Sequence, residues 1–208
     1  MKKNALSIPS IPDLYQLTSK DLLKASDILG KAFRDDPIWN EILKDEVEKF
    51  STVFEVPLKH TLKYGKVFGY SSNLEGIAAW LPSHNVNMNF FQFIWSGAFR
   101  SAFKLGNKIG KRIQEVFRMI TEDRKTNMNV PYIYLYVIGV LPEHQGKGIG
   151  SSLINTMLNS LPLEIPLYLE TETEQNVKFY EKLGFKVVKE IRVPSVNLPM
   201  WEMVYERK

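Results

Sequence analysis

The sequence predicts an α/β fold, a mixed sheet with helices on both sides, and three observations carry that expectation. The first is an unbroken β-branched and aromatic run from Tyr132 to Val140, which reads as a strand covered on both faces. The second is its sequel: a loop holding Glu143, His144 and Gln145, glycines at 146, 148 and 150, then a helical period in Ile149, Leu153, Ile154, Met157 and Leu158. The third is size. With 208 residues, 44% hydrophobic and 24% charged, the chain can bury one good core and nothing compels a second domain, so residues 1–208 are expected to form one unit.

In chain order, Leu14 to Leu17 reads as a short strand, and Ser19 as the N-cap of a helix presenting Leu22, Ala25, Leu29, Ala32 and Phe33 and stopping before Pro37. Glu46 to Tyr64 is helical in Val47, Phe50, Phe54, Leu58 and Leu62, with a kink or break expected at Pro57. Lys66–Ser71 and Gly76–Leu81 form a hairpin. An insertion at about 84–129 carries two helical patterns, Phe91 to Leu105 and Ile109 to Ile120, whose aromatic stripe is expected to be core. Because Arg100, Lys104, Lys108, Lys111 and Arg112 sit beside it, a membrane-surface or partner-binding face is the competing reading. Past the glycine loop, Ile165–Thr171 is a strand, and Thr171 or Thr173 caps a helix that closes at Gly184. Phe185–Val193 and Pro199–Glu206 finish as strands.

Composition removes several classes of chemistry. Without cysteine there is no disulfide, thiolate metal site or cysteinyl nucleophile, and the scattered His60, His84 and His144 offer no metal spacing. The net charge of +4 is spread along the chain with no nucleic-acid motif, so a polyanionic cofactor is preferred to nucleic acid as its explanation. Met1-Lys-Lys is followed by no apolar stretch of the kind a signal peptide needs, and Gln92, Ser96 and Arg100 interrupt the longest apolar run. A cytoplasmic protein that does not span a membrane is expected, as a monomer or homodimer.

Glycines opening a helix let its unpaired first-turn N–H groups approach an anion, most simply a phosphate. No Gly-x-x-x-x-Gly-Lys-Ser/Thr is present, which excludes a P-loop. A dinucleotide fold is a closer rival, since Glu170 ends the next strand at the spacing of a ribose-binding acid, but Ser151 stands where its third glycine belongs. Gln145-x-x-Gly148-x-Gly150 between a strand and a helix resembles the pyrophosphate-binding motif of the GNAT superfamily of N-acetyltransferases. Tyr168-Leu-Glu-Thr171 and the stretch from Asn176 through Tyr180 to Gly184 and Phe185 resemble that superfamily's next strand and helix. Asp35-Asp36-Pro37, Ala78 to Pro82 and Leu169 to Thr171 resemble its puromycin acetyltransferase-like branch, although Tyr132-Ile133 and Leu141 depart from that branch's pattern.

The resemblance implies a mostly antiparallel central sheet with a parallel splayed strand pair, and acetyl-CoA as co-substrate. It assigns the cofactor to the backbone of Ile138, Gly139 and Val140, to Gln145, Gly146, Lys147, Gly148, Ile149, Gly150 and Ser151, and to Asn176 and Tyr180. Gly139, in mid-strand, is expected to mark a bulge. Asn176 and Tyr180, four apart, share a helix face, which suits Tyr180 as general acid toward the leaving thiolate. Glu170 and Glu172, at a strand end, are candidate bases. Asp36, Trp39, Trp80, Tyr134 and Glu170 are candidate acceptor contacts, and no metal is expected. The expected activity is direct acetyl transfer to a primary amine of a small molecule. A non-catalytic acyl-CoA sensor or partner-binding module of the same fold is the alternative, and a nicotinamide-dependent enzyme a third.

Overall fold

The computed structural model describes residues 6–44 and 46–206; the reading of the first five residues as other than a signal peptide falls outside them. Among the described residues, seven strands form one sheet in the order β1-β2-β3-β4-β5-β7-β6. These are β1 (Tyr15–Gln16), β2 (Lys66–Gly69), β3 (Gly76–Pro82), β4 (Ile133–Val140), β5 (Leu167–Thr171), β6 (Lys186–Val193) and β7 (Leu198–Tyr205). Every pairing is antiparallel except β4 with β5.

Helices α1 (Leu22–Ala32), α2 (Pro37–Leu43) and α3 (Phe50–Tyr64) precede the β2–β3 hairpin; α4 (Phe90–Trp95), α5 (Ala98–Leu105) and α6 (Asn107–Asn127) fill the insertion. Then α7 (Ile149–Ser160) follows β4 and α8 (Glu174–Lys182) follows β5. One face of the sheet packs Leu29, Phe54, Leu58 and Val116 from α1, α3 and α6, and the other packs Leu153, Ile154, Met157 and Tyr180 from α7 and α8. Both faces of β4 are therefore covered, as its continuous apolar run requires.

Several local expectations change. The first cap is Thr18, which forms a capping box with Asp21 ahead of α1, in place of Ser19. A second short helix, α2, opens at Pro37 with Asp36 as its N-cap, because proline's fixed φ and missing N–H suit the first helical position. Pro57 breaks nothing: α3 runs unbroken through it, its Phe54 and Leu58 wholly buried, so tertiary packing outweighs one missing hydrogen bond. The insertion holds three helices, since the Phe91–Leu105 pattern is divided at Gly97, which sits at φ +77°. Its aromatic stripe is not core. Ala98, Ser101 and Leu105 are buried, whereas Phe91, Trp95, Phe99 and Phe103 face outward.

Candidate active site

The parallel strands β4 and β5 meet only at Ile133–Leu167 and Tyr134–Tyr168, and beyond that they diverge. Alternation along β4 explains what the fork exposes. Leu141 N–H bonds to Glu75 on the β3 side, so Val140 and Ile138 point the opposite way, into the fork, where no strand pairs with them. The bulge that reshapes β4 lies at Tyr136, between the Ala79–Val137 and Trp80–Leu135 pairs, and not at Gly139 as expected. Gly139 keeps its partner Ile77 and answers a different need. A Cβ there would sit 2.8 Å from Leu29 and 3.0 Å from Ala32, so its absence lets α1 lie directly on β4.

At the end of β4 the chain turns through Pro142–His144 into the glycine loop. Gly146 and Gly148 adopt φ of +72° and +79°, with nothing within 4 Å of where a Cβ would lie. Glycine reaches that conformation without the steric cost of other residues, and the open space keeps a ligand's path clear. Gly148 is the N-cap of α7 and offers no side chain to cap it; the ladder begins at Ser152 N–H to Gly148 O, 2.9 Å. The amides of Ile149, Gly150 and Ser151 thus open the helix uncapped, at the positive end of its dipole. Gln145 donates to Val140 O at 3.1 Å, bracing the loop against the fork, and Lys147 donates to Glu143 O at 2.8 Å.

The opposite wall is α8, capped by Thr173, whose hydroxyl accepts the Asn176 N–H at 3.2 Å; no box from Thr171 forms. Tyr180 is buried against Phe179 and Phe185. Burial, followed by the charge of Glu172, raises its phenol well above the usual tyrosine value, so it stays protonated and can donate.

Beyond β5 stands Glu172, half-buried, with Asp36 beside it. Its carboxyl is held well above the usual range, first by burial and then by its hydrogen bond to Asp36 and that neighbour's charge. Asp36 meanwhile accepts the Trp39 N–H at 2.9 Å through Oδ1.

Glu170 has a different fate from the one expected. Its Oε1 accepts from Arg124 Nη1 at 2.8 Å and its Oε2 accepts from the Tyr134 hydroxyl, so both oxygens are taken and the side chain is not a free base. Arg124 reaches Asn87 Oδ1 at 3.2 Å and stacks 4.9 Å above the Tyr134 ring. Burial and then the Glu170 charge push the Tyr134 phenol up, keeping it a donor. Directly across the β5–β7 ladder from Glu170 lies Glu202, wholly buried and held at 2.7 Å by Asn127. This network fastens α6 to the sheet. Tyr134 belongs to it, not to an open acceptor wall.

Trp80 is also removed from the acceptor side: it is wholly buried in the core on the α7 face. Trp39 is half-buried between Phe54 and Phe117, with ring centroids at 5.2 and 5.7 Å. Arg124, Asn87 and Tyr136 carry no sequence signal for their places, since Arg124 meets Glu170 across 46 residues of chain.

The uncapped helix start, the clear space over Gly146 and Gly148, and the unpaired edge of β4 together fit a slender phosphorylated acyl carrier. Residues 106–187 match the acetyltransferase (GNAT) domain family. Along 203 residues the chain is 28% identical to an uncharacterized N-acetyltransferase of Schizosaccharomyces pombe, covering 92% of this chain and 82% of that one. Among solved structures it resembles a histone acetyltransferase HPA2-related acetyltransferase of Corynebacterium glutamicum, with a TM-score of 0.63 at 20% identity over 96% and 98% of the two chains. It also resembles the Drosophila melanogaster polyamine N-acetyltransferase, with a TM-score of 0.55 at 11% identity over 93% and 98%. Its fold is that of the GNAT acetyltransferases, and over residues 106–187 its sequence is similar to theirs.

Proposed function

We propose that the protein transfers the acetyl group of acetyl-CoA directly to a primary amine of a small molecule, acting as a single unit over residues 1–208 in the cytoplasm. The observation that carries this reading is the fork where β4 and β5 diverge beside the uncapped start of α7, with Tyr180 of α8 and Glu172, whose charge bears on its phenol, on the β5 side. An acyl transfer to an amine needs a proton taken from one side of the carbonyl and returned on the other. These residues supply both.

The acceptor arrives as an ammonium, because alkylamines titrate near pH ~10. Glu172 in its deprotonated form complements that cation and can accept its proton. The neutral amine then forms the C–N bond as the C–S bond breaks, and the second proton of that nitrogen leaves to solvent. Tyr180 gives its proton to the departing sulfur and is reprotonated from solvent. Acetyl-CoA supplies the activated acyl group. The Ile149, Gly150 and Ser151 amides hold its diphosphate, the Ile138 and Val140 backbone and Asn176 hold its pantetheine, and the Val140 N–H is aimed to polarise the carbonyl. The amine preference draws support from the acidic pair and from the Drosophila neighbour, which forms N-acetylagmatine. The patterns at Asp36 and Leu169–Thr171 support a likeness to the puromycin acetyltransferase-like branch, and α6, tied to β5 and β7 through Arg124 and Asn127, shapes acceptor specificity.

The test is an amine panel followed by free-thiol release. Tyr180→Phe is expected to lower kcat/KM about 10²-fold, at the modest end for general acids because a thiolate leaves readily, with acetyl-CoA affinity unchanged. Undiminished turnover removes Tyr180 as the acid; acetyl-CoA binding without thiol release for any amine overturns transfer itself.

Gly148→Ala probes the cofactor cradle. The residue's positive φ alone is expected to cost about 1–2 kcal/mol of stability. The added methyl, entering open space at the helix start, removes roughly one charge-assisted hydrogen bond, about 1.5–3 kcal/mol. Acetyl-CoA binding measured by calorimetry is then weaker by about tenfold or more.

A further inference from the structure

The aromatic side chains of the insertion are an unused feature of the surface. Phe103 is 88% exposed, Phe90 71% and Trp95 67%, with Phe91, Ile94 and Phe99 also exposed. They lie together: Phe90 and Phe91 are 6.0 Å apart between ring centroids, Phe91 and Trp95 5.8 Å, and Phe99 and Phe103 are one helical turn apart on α5. Their scaffold is built, not loose. An Asn89–Gln92 capping box closes the start of α4, Gln92 also reaches Asn85 at 3.1 Å, and Lys63 holds the Trp95 carbonyl at 2.6 Å. Beneath the rings, Ala98, Ser101 and Leu105 are buried, so α5 is seated and its aromatic face is turned outward by design of the helix.

Charge identifies the partner. From Gly76 to Gln114 the chain has no acidic residue, while Arg100, Lys104, Lys108, Lys111 and Arg112 give five positive charges. Of the acids on adjoining elements, Glu55 on α3 is buried under Lys59 and Ser101 with Lys104 at 4.0 Å, and Glu46, paired with Lys49, faces Lys108 and Arg112 on α6, which leaves Arg100 and Lys104 as the charges of the α4–α5 face itself. We propose that the α4–α5 face docks on an anionic phospholipid bilayer surface, its rings entering the headgroup boundary and its basic side chains meeting the lipid phosphates. A second copy is a poorer occupant, because a two-fold contact would press the same positive set against itself. The docking is interfacial only: no helix among the described residues is long and apolar enough to cross a membrane.

Flotation with vesicles of phosphatidylcholine containing about one-third phosphatidylserine tests this, alongside pure phosphatidylcholine vesicles. Binding is expected to the anionic vesicles, and to be at least tenfold weaker to the neutral ones and at high salt, with Trp95 fluorescence quenched by acyl-brominated lipid. Phe103→Ser with Trp95→Ser should abolish flotation while thiol-release activity in free solution is unchanged, since neither side chain holds core or cofactor. The proposal is overturned if the wild-type protein stays with the unbound fraction, or if the variant floats equally well. It is also overturned if the variant instead abolishes a concentration-dependent dimer in sedimentation, which would assign the face to self-association.

Discussion

Glu172→Gln is expected to lower kcat/KM for amine acetylation by about 10²–10⁴-fold, the range lost with a general base, while acetyl-CoA still binds. The amide keeps the size of the side chain and can donate to Asp36, so the site stays closed; what disappears is a place for the acceptor's proton. In the native enzyme the carboxyl titrates well above the ordinary carboxylate range, through burial and the Asp36 neighbour. Only its deprotonated form accepts a proton, so kcat/KM rises with pH through that raised value, and the variant's profile should lose this limb. Stability moves the other way. A raised folded pKa means the folded state binds more protons than the unfolded one, so the contribution is complete below the unfolded value and is lost as pH rises through the folded one. Glu172→Gln should remove that loss, leaving a slower enzyme that is more stable at neutral pH by on the order of 1 kcal/mol, about the net worth of one hydrogen bond. Thermal melts across pH, read beside the rate profile, check both halves; a variant that is slower and also less stable at every pH would make Glu172 a structural residue.

Arg124→Ala should have the largest effect on folding, a loss of about 3–5 kcal/mol in urea unfolding. Both partners of its ion pair with Glu170 are 6% exposed in their side chains, so removing the guanidinium leaves a carboxylate in a dry setting with only the Tyr134 hydroxyl to answer it. The penalty arises from the stranded charge more than from the lost attraction. Accordingly, Arg124→Met combined with Glu170→Leu, which strands neither charge, should recover much of the loss, and the double-mutant cycle should show strong coupling. An Arg124→Ala cost below about 1 kcal/mol would place the pair in an effectively solvated setting. Function follows through α6. Arg124 and Asn127 attach that helix to β5 and β7, so loosening them should raise the acceptor's KM more than the cofactor's.

Much of this protein was legible before any tertiary information. The strand, loop and helix from Tyr132 to Ser160 could be read because their signals are local: a continuous β-branched and aromatic run, glycines where positive φ is needed, and a 3.6-residue period. The same holds for α8, whose cap and closing glycine are written in Thr173 and Gly184. Where the reading went astray, the deciding contact was distant in sequence. Gly139 looked like a bulge from its strand alone, but its purpose is α1 lying against it. Trp80 and Tyr134 looked equally available, and only the sheet's two faces separate a ring sunk in the core from one hydrogen-bonded to a carboxylate.

The two glutamates show the division most clearly. In the sequence Glu170 and Glu172 are near-equivalent acids at the end of one strand. The fold sends the first to Arg124, 46 residues away, where both oxygens are consumed, and the second to Asp36, where burial and a like charge raise its pKa. By itself the sequence determined the strand–glycine–helix cradle and the superfamily it resembles, because hydrogen-bond geometry and backbone sterics act over a few residues. Only the tertiary structure decided which carboxyl can take a proton, because solvation and charge are set by whatever the fold brings alongside.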